Sequence, residues 1–302
     1  MTAGTRRKFL RESTRLAAAA FVPSFLARLA RSNPLGGPIG IQLYTVKEAM
    51  NADAAGTLRK LRAIGFAQVE TAGLGELSAR QLRRLLNDSG LACPSAHLPF
   101  DAANLGPAFE DAHALGAQYA TSGSLHSIAI PSQAGVPHAK RGMSLEEAKR
   151  TADLANRIGA AAARAGLHYA YHNHDAEFVP QSLGVVGYDV LLRETDPELV
   201  KFEIDCGWMI FAGRDPTAYF EKYPDRFPMI HVKDFLPGAG AGNPGDMRGA
   251  ELGTGVVDYK PIFTAAAKAG LRHYFVEQEG PFARMTPLEA ARVDYDYLHS
   301  FG

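Results

Sequence analysis

The chain of 302 residues is short of cysteine, has a single tryptophan and carries no excess of either charge. Its two cysteines, Cys93 and Cys206, each lie inside an apolar run. Two thiols do not make a disulfide-stapled scaffold, and buried free thiols are the expectation. Lys and Arg number 32, as do Asp and Glu, so the formal net charge is zero. With no basic excess or stripe, the composition argues against a nucleic-acid partner. No apolar run is long and uninterrupted enough for a convincing membrane span. No Gly-x-Gly-x-x-Gly turn follows the first β-like run, which counts against a doubly wound dinucleotide-binding sheet. What is present is 46% hydrophobic residues, enough for a substantial core in one large domain or two ordinary ones.

The basic residues that do cluster lie in "TRRKFLRESTRLAAAAFVPSFLARLA". Arg6 and Arg7 form a pair, and a mildly apolar, Ala-rich stretch follows from Leu16 to Ala30. Thr5–Arg11 resembles the Ser/Thr-Arg-Arg-x-Phe-Leu-Lys pattern of a bacterial Tat export signal. The resemblance implies that residues 1–35 are an export signal or disordered, that the mature protein is periplasmic, and that it keeps no stable membrane span. A basic amphipathic arm is the plainer alternative, and Arg28 and Arg31 leave the cleavage position open. Residues 36–302 are read as the folded unit.

From Ile39 onward, short apolar or β-branched runs alternate with helix-like amphipathic stretches. The strands are expected at 39–44, 67–71, 92–97, 117–122, 168–174, 201–205, 229–234 and 273–279. Helical stretches between them open on Ser78 or Ser144 and close on Gly65, Gly90, Gly166 or Gly270, the usual start and stop signals. Eight such strands in one unit of this size predict a (β/α)₈ TIM barrel, a single α/β domain. Two longer stretches, 125–143 and 236–255, follow the fourth and seventh strands, on the barrel face where active sites are built.

The strand ends carry the chemistry. The second strand ends in Glu70, the third in His97, and the fifth in His172 and His174 with Glu177 just beyond. The sixth offers Glu203 and Asp205, the seventh His231, Lys233 and Asp234, the eighth Glu277 and Glu279. Burying an unpaired charge is costly, so ionisable ends on six strands that open into one cup call for a shared purpose. Alternation puts His172 with His174, Glu203 with Asp205, His231 with Lys233 and Glu277 with Glu279. One inward group per strand gives His172 (or His174), Asp205, His231 and Glu277. A lone inward histidine is usually a hydrogen-bonded core residue, and a lone Asp before Cys-Gly a cap. As a set they predict one divalent metal ion, with nitrogen and carboxylate donors suited to Mn, Zn, Co or Fe rather than to Mg alone.

The pieces "IGIQLYTV", "VETAGLG", "SAHLPF", "YHNHDAEF", "EIDCGW", "HVKD", "LGTGVVDY" and "YFVEQE" resemble the xylose isomerase-like barrel superfamily over residues 38–300. That superfamily includes sugar phosphate isomerase/epimerases, ketose 3-epimerases, inosose dehydratases and endonuclease IV. The resemblance implies a metal held by Glu, Asp, His and Glu from strands five to eight, the last three mapping onto Asp205, His231 and Glu277. The chain departs twice. His172-Asn173-His174 stands where the family has a Glu-Asn-His-like sequence, so His172 serves as ligand or Glu177 swings in. Trp208 stands where several members have a histidine, which argues against the multi-metal endonuclease arrangement. The implied activity is isomerisation or epimerisation of a sugar through an enediolate, with His172, His174, Glu277 and Glu279 as proton carriers and Lys233 on an oxyanion or substrate oxygen. Glu70, His97, Glu177, Trp208 and Arg248 are the expected substrate contacts, with Tyr44, Phe100 and Phe211 as further stacking candidates. A β-eliminating lyase or dehydratase on a keto-sugar or 3-keto-glycoside needs no different site, and a non-catalytic carbohydrate-binding barrel is the third reading. The expected partner is a small-molecule carbohydrate, non-phosphorylated if the protein is exported; the oligomeric state is left open.

Overall fold

The structure, a computed structural model, describes residues 36–123, 125, 142–238, 248–282 and 284–300. Strands and helices alternate along it: β1 (Gly40–Gln42), α1 (Lys47–Ile64), β2 (Gln68–Ala72), α2 (Ala79–Ser89), β3 (Ala92–His97), α3 (Gly106–Leu115), β4 (Tyr119–Ser122) and α4 (Leu145–Arg164). The second half continues with β5 (His168–His172), α5 (Gly187–Glu194), β6 (Val200–Asp205), α6 (Cys206–Phe211), α7 (Pro216–Lys222), β7 (Met229–Val232), β8 (Asp234–Phe235), β9 (Gly249–Ala250), α8 (Tyr259–Lys268), β10 (His273–Val276) and α9 (Pro287–His299). Strands β1 to β7 and β10 form a closed parallel barrel, with β10 between β7 and β1, while β8 and β9 make a separate antiparallel pair. The expected barrel forms, and the pairing of β10 with β1 rules out an open sheet.

Local signals set the helix ends. Ser78, Ser144 and Thr286 each close a capping box, with Gln81, Glu147 and Glu289 respectively. Gly90 takes the left-handed conformation that ends α2, at φ 70°. The fourth and sixth strands differ from the expected runs only where they begin, at Tyr119 and Val200, whereas the departures that shape the site are at C-terminal ends. Leu43–Val46 coil into a 3-10 turn in place of a longer β1, and Gln42 accepts the Tyr44 N–H at 3.2 Å. β5 stops at His172 because Asn173 turns to the neighbouring strand, accepting the Asp205 N–H at 3.1 Å. β7 stops at Val232, and Asp234 leaves the barrel to pair in β8. β10 stops at Val276, so Glu277 and Glu279 lie just past it.

The barrel has an apolar floor of Tyr119, Ala170, Met229 and Phe275, all buried. Gly40 is required beside it, because a Cβ there would come within 2.5 Å of the Phe275 ring. Leu58, Leu61, Phe66, Tyr188, Phe227 and, on β6, Phe202 are among the buried residues of the main core. Each such side chain contributes about 1.5–3 kcal/mol on leaving water. This core holds the strands rigidly enough to support charges above the floor. No helix among the described residues is long and apolar enough to cross a membrane. The twin-arginine segment, most of the stretch expected after the fourth strand (126–141) and part of that after the seventh (239–247) lie outside the described residues.

Candidate active site

Strand register assembles the site. His172 pairs with Glu203 across β5 and β6, and Asp205 pairs with His231 across β6 and β7. An irregularity between Gln68 and Glu70 shifts the register of β2 on β3, bringing Glu70 opposite Ser95 and Ala72 opposite His97. Two tiers result. In the lower tier, Glu70 Oε2 lies 2.6 Å from His231 Nε2 and 3.2 Å from His97 Nε2. Glu203 Oε2 lies 2.7 Å from His97 Nε2, 3.1 Å from His172 Nδ1 and 3.2 Å from His231 Nε2. Gln42 Nε2 donates to Glu70 Oε2 at 2.9 Å, and Ser95 Oγ donates to Glu70 Oε1. In the upper tier, Lys233 Nζ lies 3.0 Å from Asp205 Oδ2, 2.9 Å from Glu277 Oε2 and 2.6 Å from Glu279 Oε1. His231 joins the tiers, with Nδ1 at 2.9 Å from Glu277 Oε2.

Burial alone would drive these groups towards their neutral forms, and the contacts decide which resist. Burial opposes the Glu70 charge, yet His97 and His231 hold the carboxyl well below the usual range. Burial and the Glu70 charge both push Glu203 up, but His231 and His97 bring it to about 2. Against burial, Glu70 and Glu203 lift His97 to about 10, and Glu203 and Glu277 hold His231 well above an ordinary imidazole. The lower tier is thus two carboxylates facing two imidazoliums. His172 goes the other way: burial and then His231 keep it neutral, despite Glu203. His174 is lowered too, chiefly by burial. In the upper tier burial opposes the Lys233 charge, but Asp205, Glu277 and Glu279 hold it as an ammonium. Burial lifts Asp205 to about 6, further than Lys233 and His231 lower it.

Two observations test the upper tier for a metal. One donor atom from each of His172, Asp205, His231 and Glu277 lies within 4.8 Å of the others, and all four residues are buried. Asp205 Oδ2 and His172 Nδ1 make no hydrogen bond among the described residues: Lys233 Nζ at 3.0 Å from the first and Glu203 Oε2 at 3.1 Å from the second both lie off-angle. Buried polar atoms without an aligned hydrogen bond are costly, and a metal ion would satisfy both. The second observation is charge. Five carboxyl groups, those of Glu70, Glu203, Asp205, Glu277 and Glu279, meet the cations of only His97, His231 and Lys233, so acidic groups outnumber cationic ones. Donor types, convergence and missing charge all fit one divalent cation, whose binding would displace the proton on His231 Nδ1. His97, His172, Glu203 and His231 also converge, but there imidazolium protons already meet the carboxylate.

Above the tiers opens a cavity of about 500 Å³ whose walls include Tyr44, His97, His172, His174, Glu277 and Glu279. His174 lies past the end of β5, its ring 5.0 Å from that of His172. Six expected contacts stand apart from these walls, among them Glu70, which is fully buried in the lower tier on His231, and Phe211. Glu177 is buried, accepting the Tyr171 hydroxyl at 2.8 Å and the His174 N–H at 3.1 Å, so it braces the end of β5 and does not swing in. Trp208 packs with Phe211 and Phe235 beside Lys233, whose Nζ is 4.8 Å from its ring centroid. Phe100 packs against Phe109 and Tyr169. Arg248 is exposed and donates to the Pro237 carbonyl at 3.2 Å. Asp205 is both things an Asp before Cys-Gly can be: Oδ1 accepts the Trp208 N–H at 2.8 Å and caps α6, while Oδ2 faces Lys233. Sequence reasoning gave no role to Gln42, Ser95 or Asn173, and placed Glu203 only on the face of Asp205. Alternation would also have found Ser95, which precedes His97 by two residues.

The sequence profile of the xylose isomerase-like TIM barrel family matches residues 58–299. An inosose dehydratase of Lacticaseibacillus casei is 31% identical over 172 residues, which cover 51% of this chain and 54% of that protein. The chain thus spans about half the length of the curated relatives it matches. A sugar phosphate isomerase/epimerase of Parabacteroides distasonis superposes with a TM-score of 0.69 at 24% identity, over 87% of this chain and 94% of the other. A 3-keto-D-glucoside 4-epimerase of E. coli superposes with a TM-score of 0.60 at 16% identity, over 87% and 98%. At those identities the two structures speak for the fold alone.

Proposed function

The chain belongs to the xylose isomerase-like TIM barrel family, and from that premise we propose that it removes the proton beside the carbonyl of a keto-sugar or keto-cyclitol and expels the group on the next carbon, as a dehydratase or lyase. The observation that carries this reading is the unlike pair of walls: a neutral imidazole past β5, and a carboxylate–ammonium cluster past β7 and β10.

His172, Asp205, His231 and Glu277 would hold the divalent cation. Such an ion supplies Lewis-acid polarisation of the substrate carbonyl. His174 lines the cup without belonging to the ligand set, and as a neutral imidazole it is free to take the proton from the carbon beside the carbonyl. The electron pair moves towards the carbonyl oxygen. It then returns to form the carbon–carbon double bond as the neighbouring carbon–oxygen bond breaks. The imidazolium of His174 gives its proton to the departing oxygen, so the balance is loss of water or of an alcohol. Lys233, held as an ammonium, places a fixed positive charge beside the developing oxyanion.

The inosose dehydratase relative supports elimination. Epimerisation is the second reading, favoured by Glu277 and Glu279 lining the same cavity as His174, so that a proton taken by one wall can be returned by the other. Incubating the metal-loaded protein with keto-inositols and 3-keto-glycosides in D₂O separates the two. Loss of water or aglycone with a new enone absorbance is expected. Deuterium beside the carbonyl on an intact, inverted skeleton would replace the lyase reading by the epimerase one, and no exchange with any substrate would end both. The twin-arginine segment is proposed as an export signal; replacing Arg6 and Arg7 by lysine should leave the protein in the cytoplasmic fraction.

A further inference from the structure

Lys233 is held as firmly as any residue of the cup, which is unusual for a lysine. It is 1% exposed. Its backbone N–H donates to the Tyr259 hydroxyl at 2.6 Å, and its carbonyl accepts from the same hydroxyl at 2.7 Å. Its stem needs the glycine at 207, because a Cβ there would stand 2.7 Å from Lys233 Cβ. Its ammonium lies 4.8 Å from the Trp208 ring centroid and touches three carboxylates. Two of these, Asp205 and Glu277, belong to the set that converges for a metal. The third, Glu279, does not, and it is the most exposed of the three, at 20% of its side chain.

A lysine ammonium and a divalent ion cannot serve the same two oxygens equally. Each seeks the same lone pairs, and their like charges repel at short range. Without a metal, the ammonium keeps two buried carboxylates from facing each other uncompensated. On the reading that the cup holds a divalent cation, we propose that Lys233 is the resident counter-cation of that site. It sits on Asp205 and Glu277 before loading, yields both to the incoming ion, and stays on Glu279. Glu279 is then the receiver of a displaced charge, and the loaded site has an ammonium drawn to its rim, where substrate oxygens arrive.

The test is metal affinity. Mn²⁺ dissociation constants are measured by calorimetry on the full chain, on Lys233→Met, on Glu279→Gln and on the double variant. Lys233→Met should bind at least about tenfold more tightly than the parent, since no cation has to be displaced. Glu279→Gln should bind several-fold more weakly, since the displaced ammonium has lost its refuge. The double variant should match Lys233→Met, because Glu279 matters only through the lysine. Trp208 is the only tryptophan of the chain; Zn²⁺, which is spectroscopically silent, should shift its fluorescence in the parent and not in Lys233→Met. Unchanged or weaker binding by Lys233→Met overturns the proposal, and so does a Glu279→Gln penalty that persists in the Lys233→Met background. If Lys233→Met does not fold, Glu279→Gln decides alone: weaker binding supports the proposal, and parental affinity overturns it. A parent chain that binds no divalent ion sinks the metal reading and this proposal together, whereas a parent that binds with no lysine effect sinks the proposal only.

Discussion

His172 and His174 stand two residues apart and live in different surroundings. His172 is 3% exposed, sits at the end of β5 and shares a donor set with Asp205, His231 and Glu277. His174 lies past the strand, its backbone N–H bound to Glu177, with its ring on the cavity wall. Their replacements should therefore separate two functions. His174→Ala is expected to lower kcat by about 10²–10⁴-fold, the usual worth of a general base, with metal content unchanged by elemental analysis. His172→Ala is expected to strip the metal, and activity should fall because the site is unloaded. If His174→Ala lost the metal and His172→Ala kept it, the two roles would have to be exchanged. Residue types alone could not make this assignment. Alternation puts the two histidines on one face, but the strand stops between them because Asn173 binds the backbone of Asp205.

Among the described residues between β7 and α8, four backbone N–H groups gather on one side chain. Asp234 accepts N–H groups from Phe235 and Val257 on Oδ1, at 2.8 and 3.0 Å, and from Gly253 and Gly255 on Oδ2, at 3.1 and 3.0 Å. A Cβ at Gly255 would come within 2.2 Å of that carboxylate, so the glycine is fixed by the close approach. Asp234→Ala leaves these N–H groups without their acceptor, and about 2–4 kcal/mol of stability should be lost in chemical denaturation. The helix α9 is tied to the same loop through Asp294, whose Oδ1 accepts the Leu252 N–H at 2.7 Å. Burial, opposed by that hydrogen bond and aided by Glu251 and Asp234, pushes Asp294 up to about 8. The folded state therefore prefers the protonated carboxyl, while the unfolded chain ionises near the ordinary value of about 4. Stability must fall as pH rises between these values, and the full cost applies above about 8. Asp294→Asn keeps the acceptor and removes the charge. Its advantage over the parent should grow by at least about 1.4 kcal/mol, the worth of one pKa unit, between pH 5 and pH 8.5 in thermal or urea unfolding. A pH-independent difference would mean that Asp294 ionises normally.

At the scale of the molecule, a closed barrel with an apolar floor holds five carboxylates, three histidines and a lysine within contact of one another. Acidic groups outnumber cationic ones there, and a bound divalent ion should stabilise the fold by mass action. At a hundredfold excess over its Kd the gain is about 2.7 kcal/mol, which should raise Tm by several degrees in a melt with Mn²⁺ and be reversed by a chelator. An unchanged Tm would count against the metal. Much of this was legible in the chain: the alternation of strands and helices, the Ser and Gly signals at helix ends, and the ionisable groups at strand termini all follow from periods of 2 and 3.6 and from the cost of buried charge. So did Asp205, His231 and Glu277 as one face. The sequence could not decide where each strand stops, because that depends on partners far along the chain, such as Asn173 on Asp205. Nor could it show that Glu177 turns to Tyr171, that Trp208 lies beside Lys233, or that Glu70 and Glu203 pair with His97 and His231 below the cup. Those outcomes rest on strand register, which brings together residues as distant as Glu70 and His231, 161 apart in the chain, and only the closed barrel fixes that register.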